Sequence, residues 1–134
     1  MAEWTRAAGR VLRAEWPALA WAALIFYLSG KSHPLPVEIP IRHVDKLLHA
    51  GAYALLSGLT VRGLLAAGLA GRRAILIAMV AASLYGISDE WHQSFTPGRD
   101  ADPLDWAADT AGAIAGAVIA AGLPRRRSRA SIRG

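Results

Sequence analysis

The stretch DPLDWAADTAGAIAGAVIAAGLP, Asp102 to Pro124, decides the fold. Asp102 suits an N-cap, and Pro103 suits the first helical position because its missing N–H has no intrahelical partner to lose there. Pro124 closes the run. Between the prolines lies a mostly apolar stretch close to the ~20 helical residues that cross a ~30 Å hydrocarbon core. The stretch therefore predicts a transmembrane helix over about 103–123. Ala108, Gly112, Gly116 and Ala120 form a stripe of small residues along it, with Gly112 and Gly116 in a GxxxG relation. Such a stripe lets two helix backbones approach closely. Packing within the chain is the expected use, and a homodimer through Gly112 and Gly116 is the alternative.

Working outward, three more apolar blocks approach spanning length. The first covers about 14–30, with Trp16 and Trp21 near the interface and Pro17 placed in its first turn. Arg6, Arg10 and Arg13 precede it as in a signal peptide. No small-x-small cleavage pattern follows Tyr27-Leu28-Ser29-Gly30-Lys31, so a retained span is expected. Pro34, Pro36 and Pro40 then exclude a regular helix and predict a loop from Gly30 to His43. The second block covers about 45–70 and carries Arg62, whose long side chain can snorkel to the nearer interface. Gly71-Arg72-Arg73 reads as a tight basic turn. The third block covers 74–95 and stops at Thr96-Pro97-Gly98. The expected architecture is all-α, a single-domain polytopic membrane protein over 1–134. It has four transmembrane helices and a basic tail at 124–134.

Composition agrees. The 134 residues are 54% hydrophobic and only 19% charged, below the roughly 25% of soluble domains. Mean hydropathy is +0.29. The absence of cysteine excludes disulfides and thiolate metal sites. A net charge of +5 raises nucleic acid as a partner, but no aromatic-basic platform accompanies the basic residues, and that class is set aside. The charge is segregated instead. Arg6, Arg10, Arg13, Arg62, Arg72, Arg73 and the tail arginines Arg125, Arg126, Arg127, Arg129 and Arg133 fall on one side of a four-span chain, with only Glu3 and Glu15. Glu38, Asp45, Asp89, Glu90, Asp100, Asp102, Asp105 and Asp109 fall on the other, with Lys31, Arg42, Lys46 and Arg99. The positive-inside rule places the N and C termini in the cytoplasm and the acids outward.

Three segments bring polar groups to that outer face. Asp45, His49 and Tyr53 stand at i, i+4 and i+8, one helix face descending ~12 Å at 1.5 Å per residue. Asp89 and Gln93 share a face, with Glu90 about 100° away around the helix. Asp102, Asp105 and Asp109 share a third face. Ionisable groups near a helix centre cost about 2.5–3.5 kcal/mol each on insertion scales, so they are expected to face one another or a water-filled pocket. Arg99 and Lys46 are the available cations, and an Arg99 fork on Asp89 or Asp105 would offset part of that cost.

The runs Asp45-Lys46-x-x-His49-x-x-x-Tyr53, Asp89-Glu90-x-x-Gln93-x-Phe95-x-x-x-Arg99 and Asp105-x-x-x-Asp109-x-x-Gly112, preceded by Phe26-Tyr27-Leu28-Ser29-Gly30-Lys31-Ser32, resemble the VanZ-like membrane protein family. The likeness spans about Phe26 to Gly116. One departure is the small pair Ala50-Gly51 after His49, where bulkier residues are expected. The resemblance implies a bacterial inner (plasma) membrane, multi-pass protein. It also implies a link to the cell envelope, because the founding member is associated with resistance to the glycopeptide antibiotic teicoplanin.

Three functional readings follow. As an enzyme on a lipid-linked or phosphate-bearing headgroup, the protein would use Asp89, Glu90 and His49 as catalytic acid-base groups. Asp45, Lys46, Tyr53, Gln93, Arg99, Asp105 and Asp109 would then bind the substrate. The acids could instead hold a divalent metal through oxygen ligands, and the residues specify no particular metal or cofactor. As a binder, the pocket would hold a lipid-linked glycan, headgroup or glycopeptide without turnover. As a structural membrane subunit, the polar groups would only fix helix register.

Overall fold

A computed structural model of the chain describes residues 2–32 and 43–124. It contains α1 (Ala2–Ser29), α2 (Val44–Ala66), α3 (Gly71–Gln93) and α4 (Pro103–Gly122). No strand occurs among the described residues. Three helices are long and apolar enough to cross a membrane, through Ala8–Ser29, Gly71–Gln93 and Pro103–Gly122. The proline-containing loop and the basic tail expected from the sequence lie outside the described residues.

Packing is arranged for a lipid solvent. Small residues fill the interior: Ala74, Ala78 and Ala82 of α3, and Gly112, Ala113, Gly116, Ala117 and Ala120 of α4, are all buried. Large apolar side chains point outward, among them Leu76, Val80, Leu84 and Ile87 on α3 and Ile114, Val118 and Ile119 on α4. Hydrocarbon does not drive large side chains inward as water does, so close backbone contact between small residues holds the helices together.

The small stripe of α4 lies on α2. A Cβ placed on Gly112 would meet the backbone of Ala50, and one on Gly116 would meet that of Ala54. Only glycine permits this approach. The small Ala50, unexpected beside His49, is therefore the residue against which Gly112 packs. The same packing buries the surface on which a homodimer through Gly112 and Gly116 would depend.

Helix boundaries differ from the sequence reading in four places. α1 begins at Ala2 rather than near residue 14, because Ala, Arg, Glu and Leu before the apolar run are strong helix formers. Pro17 accordingly lies inside the helix, where it withholds one backbone hydrogen bond. α2 ends at Ala66, not residue 70. Gly68 adopts a left-handed φ of 100°, and Leu69 N–H donates to Leu64 C=O at 3.0 Å while Gly68 N–H donates to Leu65 C=O at 3.2 Å. These bonds form a Schellman motif. The turn therefore comes before Gly71-Arg72-Arg73, which open α3. α3 itself stops at Gln93, two residues before the expected end, where Thr96 N–H donates to Gln93 C=O at 2.8 Å. The start of α4 is as expected, with Asp102 accepting from Leu104 N–H at 2.8 Å and Pro103 in the first turn.

The C-terminal ends of α1 and α3 meet the N-terminal ends of α2 and α4. His92 stacks on Phe26 with ring centroids 4.0 Å apart, and its Nδ1 lies 3.5 Å from Ser29 Oγ. Deeper in the bundle, Trp21 Nε1 donates to Ala52 C=O at 2.9 Å and Tyr85 Oη to Ala22 C=O at 2.8 Å, tying α1 to α2 and α3. At the opposite end, the Arg62 guanidinium reaches the carbonyls of Leu123 and Pro124 at 3.3 and 3.4 Å. It caps α4 as a snorkelling side chain should.

Candidate functional site

The meeting of those helix ends gathers the polar residues. Lys46, in the first turn of α2, lies between two helices. Its Nζ is 2.6 Å from Asp102 Oδ2, 2.5 Å from Asp105 Oδ1 and 3.1 Å from Asp45 Oδ2. One turn deeper, His49 Nδ1 sits 2.9 Å from Asp109 Oδ1. A carboxylate oxygen accepts, so the ring donates from Nδ1 and turns Nε2 away from Asp109. Nε2 faces Asp105 Oδ2 at 3.8 Å, too far for a hydrogen bond. Tyr53, a further turn down, is buried.

α3 supplies the other half. Asp89, Glu90 and Gln93 are all buried. Gln93 Nε2 donates to Asp89 Oδ2 at 3.2 Å and approaches Glu90 Oε1 at 3.4 Å. Gln93 Oε1 accepts from Arg99 Nη2. Glu90 Oε2 accepts the backbone N–H of Asp102 at 2.7 Å, fastening the loop before α4 to the end of α3.

The sequence reading placed the cations differently. Arg99 does not clamp Asp89 or Asp105; it meets the Gln93 carboxamide, and Lys46 takes Asp105. The loop geometry accounts for this. Gly98, at φ 78°, turns the chain, and Arg99 N–H donates to Thr96 C=O at 3.0 Å, which holds Arg99 over the end of α3. Asp45 does not join His49 and Tyr53 inside; its side chain is 58% exposed and pairs with Lys46. Asp102, the expected N-cap, also binds Lys46. That ammonium, together with the Leu104 amide, holds the Asp102 carboxyl below the usual carboxylate range. The sequence reading gave His92 no role. The Phe26 it stacks on belonged to a quoted motif, but nothing in the spacing linked two residues so far apart in the chain.

A cavity of about 760 Å³ opens between α1 and α2 beside these groups. Leu24, Ile25 and Leu28 of α1 and Leu48, Ala52 and Leu55 of α2 form its apolar wall, and His49, Asp89, Gln93, Arg99 and Asp105 form its polar floor. Leu24, Leu28, Leu48 and Leu55 remain exposed, so the apolar wall is open rather than sealed within the bundle. Three buried oxygens, Tyr53 Oη, Asp89 Oδ1 and Asp109 Oδ2, have no hydrogen-bond partner among the described residues. Chemically, the oriented His49 can exchange a proton at Nε2. His49, Glu90 and Asp105 each offer a metal-ligand atom, all within 4.8 Å of one another.

Small residues inside, large apolar residues outside and a carboxylate-rich centre at one end of the bundle define a small helical membrane protein with a polar pocket. The family model described as VanZ/LLP1 matches residues 12–124, and the chain belongs to that family. No curated protein and no solved structure matches the chain.

Proposed function

We propose that the protein receives the phosphate-bearing head of a lipid-linked envelope molecule at the outer face of the bacterial inner membrane and acts on it by acid-base chemistry. α2 is taken as the fourth span. It has 23 residues, about 34 Å at 1.5 Å per residue. It falls outside the three most apolar helices because His49, Ser57, Thr60 and Arg62 interrupt it. With four spans both termini share a side, and the arginines around α1 and the α2–α3 turn assign that side to the cytoplasm. The polar centre then faces outward.

The observation that carries this reading is the form of the cavity. One wall is apolar and exposed, while the floor is polar and includes Arg99. An amphiphile fits both, with its chain along α1 and α2 and its head on the floor. Arg99 suits an anionic oxygen. His49, oriented by Asp109, and Glu90 are the acid-base groups. Altered teicoplanin susceptibility would be a downstream effect of changed envelope chemistry.

Purified protein in nanodiscs doped with a polyprenyl phosphate tests the reading by native mass spectrometry. Saturable binding is expected, weaker for the uncharged polyprenol and weakened at least about fivefold by Arg99→Gln, a loss of ~1 kcal/mol. Equal binding of phosphate and alcohol would contradict it.

A further inference from the structure

We infer that His49, Glu90 and Asp105 form a site for one divalent first-row metal ion, with Asp109 positioning the histidine. The three ligand atoms come from α2, α3 and α4 and lie within 4.8 Å of one another. Two atoms held at about 2.0–2.2 Å from one ion stand about 3–4.2 Å apart. The 3.8 Å between His49 Nε2 and Asp105 Oδ2 fits that spacing and fits no direct hydrogen bond. One imidazole with two carboxylates matches Zn2+ or Mn2+ better than the all-oxygen sets of Ca2+.

The surroundings support the same conclusion. Asp109 is fully buried and accepts from His49 Nδ1 at 2.9 Å, the carboxylate–histidine arrangement that fixes ring orientation at metal centres. Lys46 occupies Asp105 Oδ1 and leaves Oδ2 toward His49. A second, separate observation is a buried carboxylate in the same cavity. Asp89 is 3% exposed and lines the cavity with His49 and Asp105; its Oδ1 meets no well-formed hydrogen bond among the described residues, with the buried Tyr53 hydroxyl beside the carboxylate. Among the described residues Asp102 and Asp105 pair with Lys46 and Asp109 with His49, and Arg99 is engaged by Gln93. A bound divalent ion would supply the Lewis-acid polarisation that phosphoryl chemistry uses. That use rests on the proposed function; the binding site does not.

The full chain in detergent, stripped with chelator and titrated with Mn2+ alone, tests the site without any lipid. Calorimetry is expected to show one ion per chain. Asp105→Asn and His49→Gln should weaken binding at least about tenfold, and Asp109→Asn by about 10–100-fold through loss of the orienting carboxylate. Asp100→Asn, a change at an exposed residue, should leave binding unchanged. The electron spin echo of bound Mn2+ should carry nitrogen modulation that disappears in His49→Gln. Each variant is first checked for helical circular dichroism and a monodisperse elution profile. The inference is overturned if the folded wild type binds no stoichiometric Mn2+, or if folded Asp105→Asn and His49→Gln bind it as the wild type does. Failure here with intact headgroup binding would remove the metal and leave the proposed function standing.

Discussion

Gly112→Ala tests how helix packing controls the site. The Cβ of alanine at this position would lie 2.7 Å from both Cα and C of Ala50, where unstrained carbon atoms stand about 3.5–4.0 Å apart. The obstacle is backbone, so no side chain can swing aside. α2 and α4 must part by about 1 Å at this level to restore ordinary contact. Ala50 follows His49 directly, and Gly112 lies one turn beyond Asp109. Parting the helices there stretches the 2.9 Å contact between His49 and Asp109 past hydrogen-bond range. Overpacking costs about 1–3 kcal/mol, and a lost hydrogen bond to a charged group about 1.5–3 kcal/mol. Against a gain of about 1 kcal/mol in helix propensity, the net loss is about 1.5–5 kcal/mol. Unfolding in mixed micelles of increasing SDS content, followed by circular dichroism, measures it. Gly122→Ala is the control, because a Cβ there meets open space. Equal stability of the two variants would refute the close packing of α2 on α4.

Two further outcomes follow from the structure. Because Lys46 and the Leu104 amide lower the Asp102 pKa, the stabilisation from that carboxylate is fully present above the ordinary value of about 3.9. It is lost as pH falls through the lower folded value. Carbon-13 NMR of the Asp102 carboxyl should therefore show an inflection below that of a model peptide, moving upward in Lys46→Gln; an inflection at or above the ordinary value would contradict the contact. Arg62→Gln removes the guanidinium from the carbonyls of Leu123 and Pro124. The contact is exposed, so the same SDS titration should register a loss below about 1 kcal/mol, and headgroup binding at the far end should not change.

Much of the fold was legible because membrane helices announce themselves through length, apolarity and end signals. Asp102-Pro103 fixed the start of α4, and the Gly112–Gly116 stripe announced a close helix contact. The end of α2 was missed because Ala67 to Ala70 continue the apolar pattern, and only Gly68 marks the Schellman turn. The start of α1 was missed because hydropathy identifies a span and says nothing of polar turns that extend the helix beyond it. For the site, helical spacing brought His49 and Tyr53 to one face and Asp105 and Asp109 to another. It could not reveal the partners, since the Lys46–Asp102, Lys46–Asp105 and His49–Asp109 contacts cross between helices far apart in sequence. Arg99 was misassigned because its direction depends on the backbone turn at Gly98.

The central claim is that the polar centre is a functional site rather than a packing plug, and Asp89→Asn addresses it most directly. The substitution preserves shape and an acceptor for Gln93 while removing charge from a carboxyl that is 3% exposed. The measurement is teicoplanin susceptibility of a sensitive bacterium expressing wild type or Asp89→Asn, with membrane abundance of each form determined in the same cells. The account predicts that the wild type shifts susceptibility and that Asp89→Asn, at equal or greater abundance, does not. An effect on susceptibility that merely follows abundance, or an Asp89→Asn protein as active as the wild type, would contradict it.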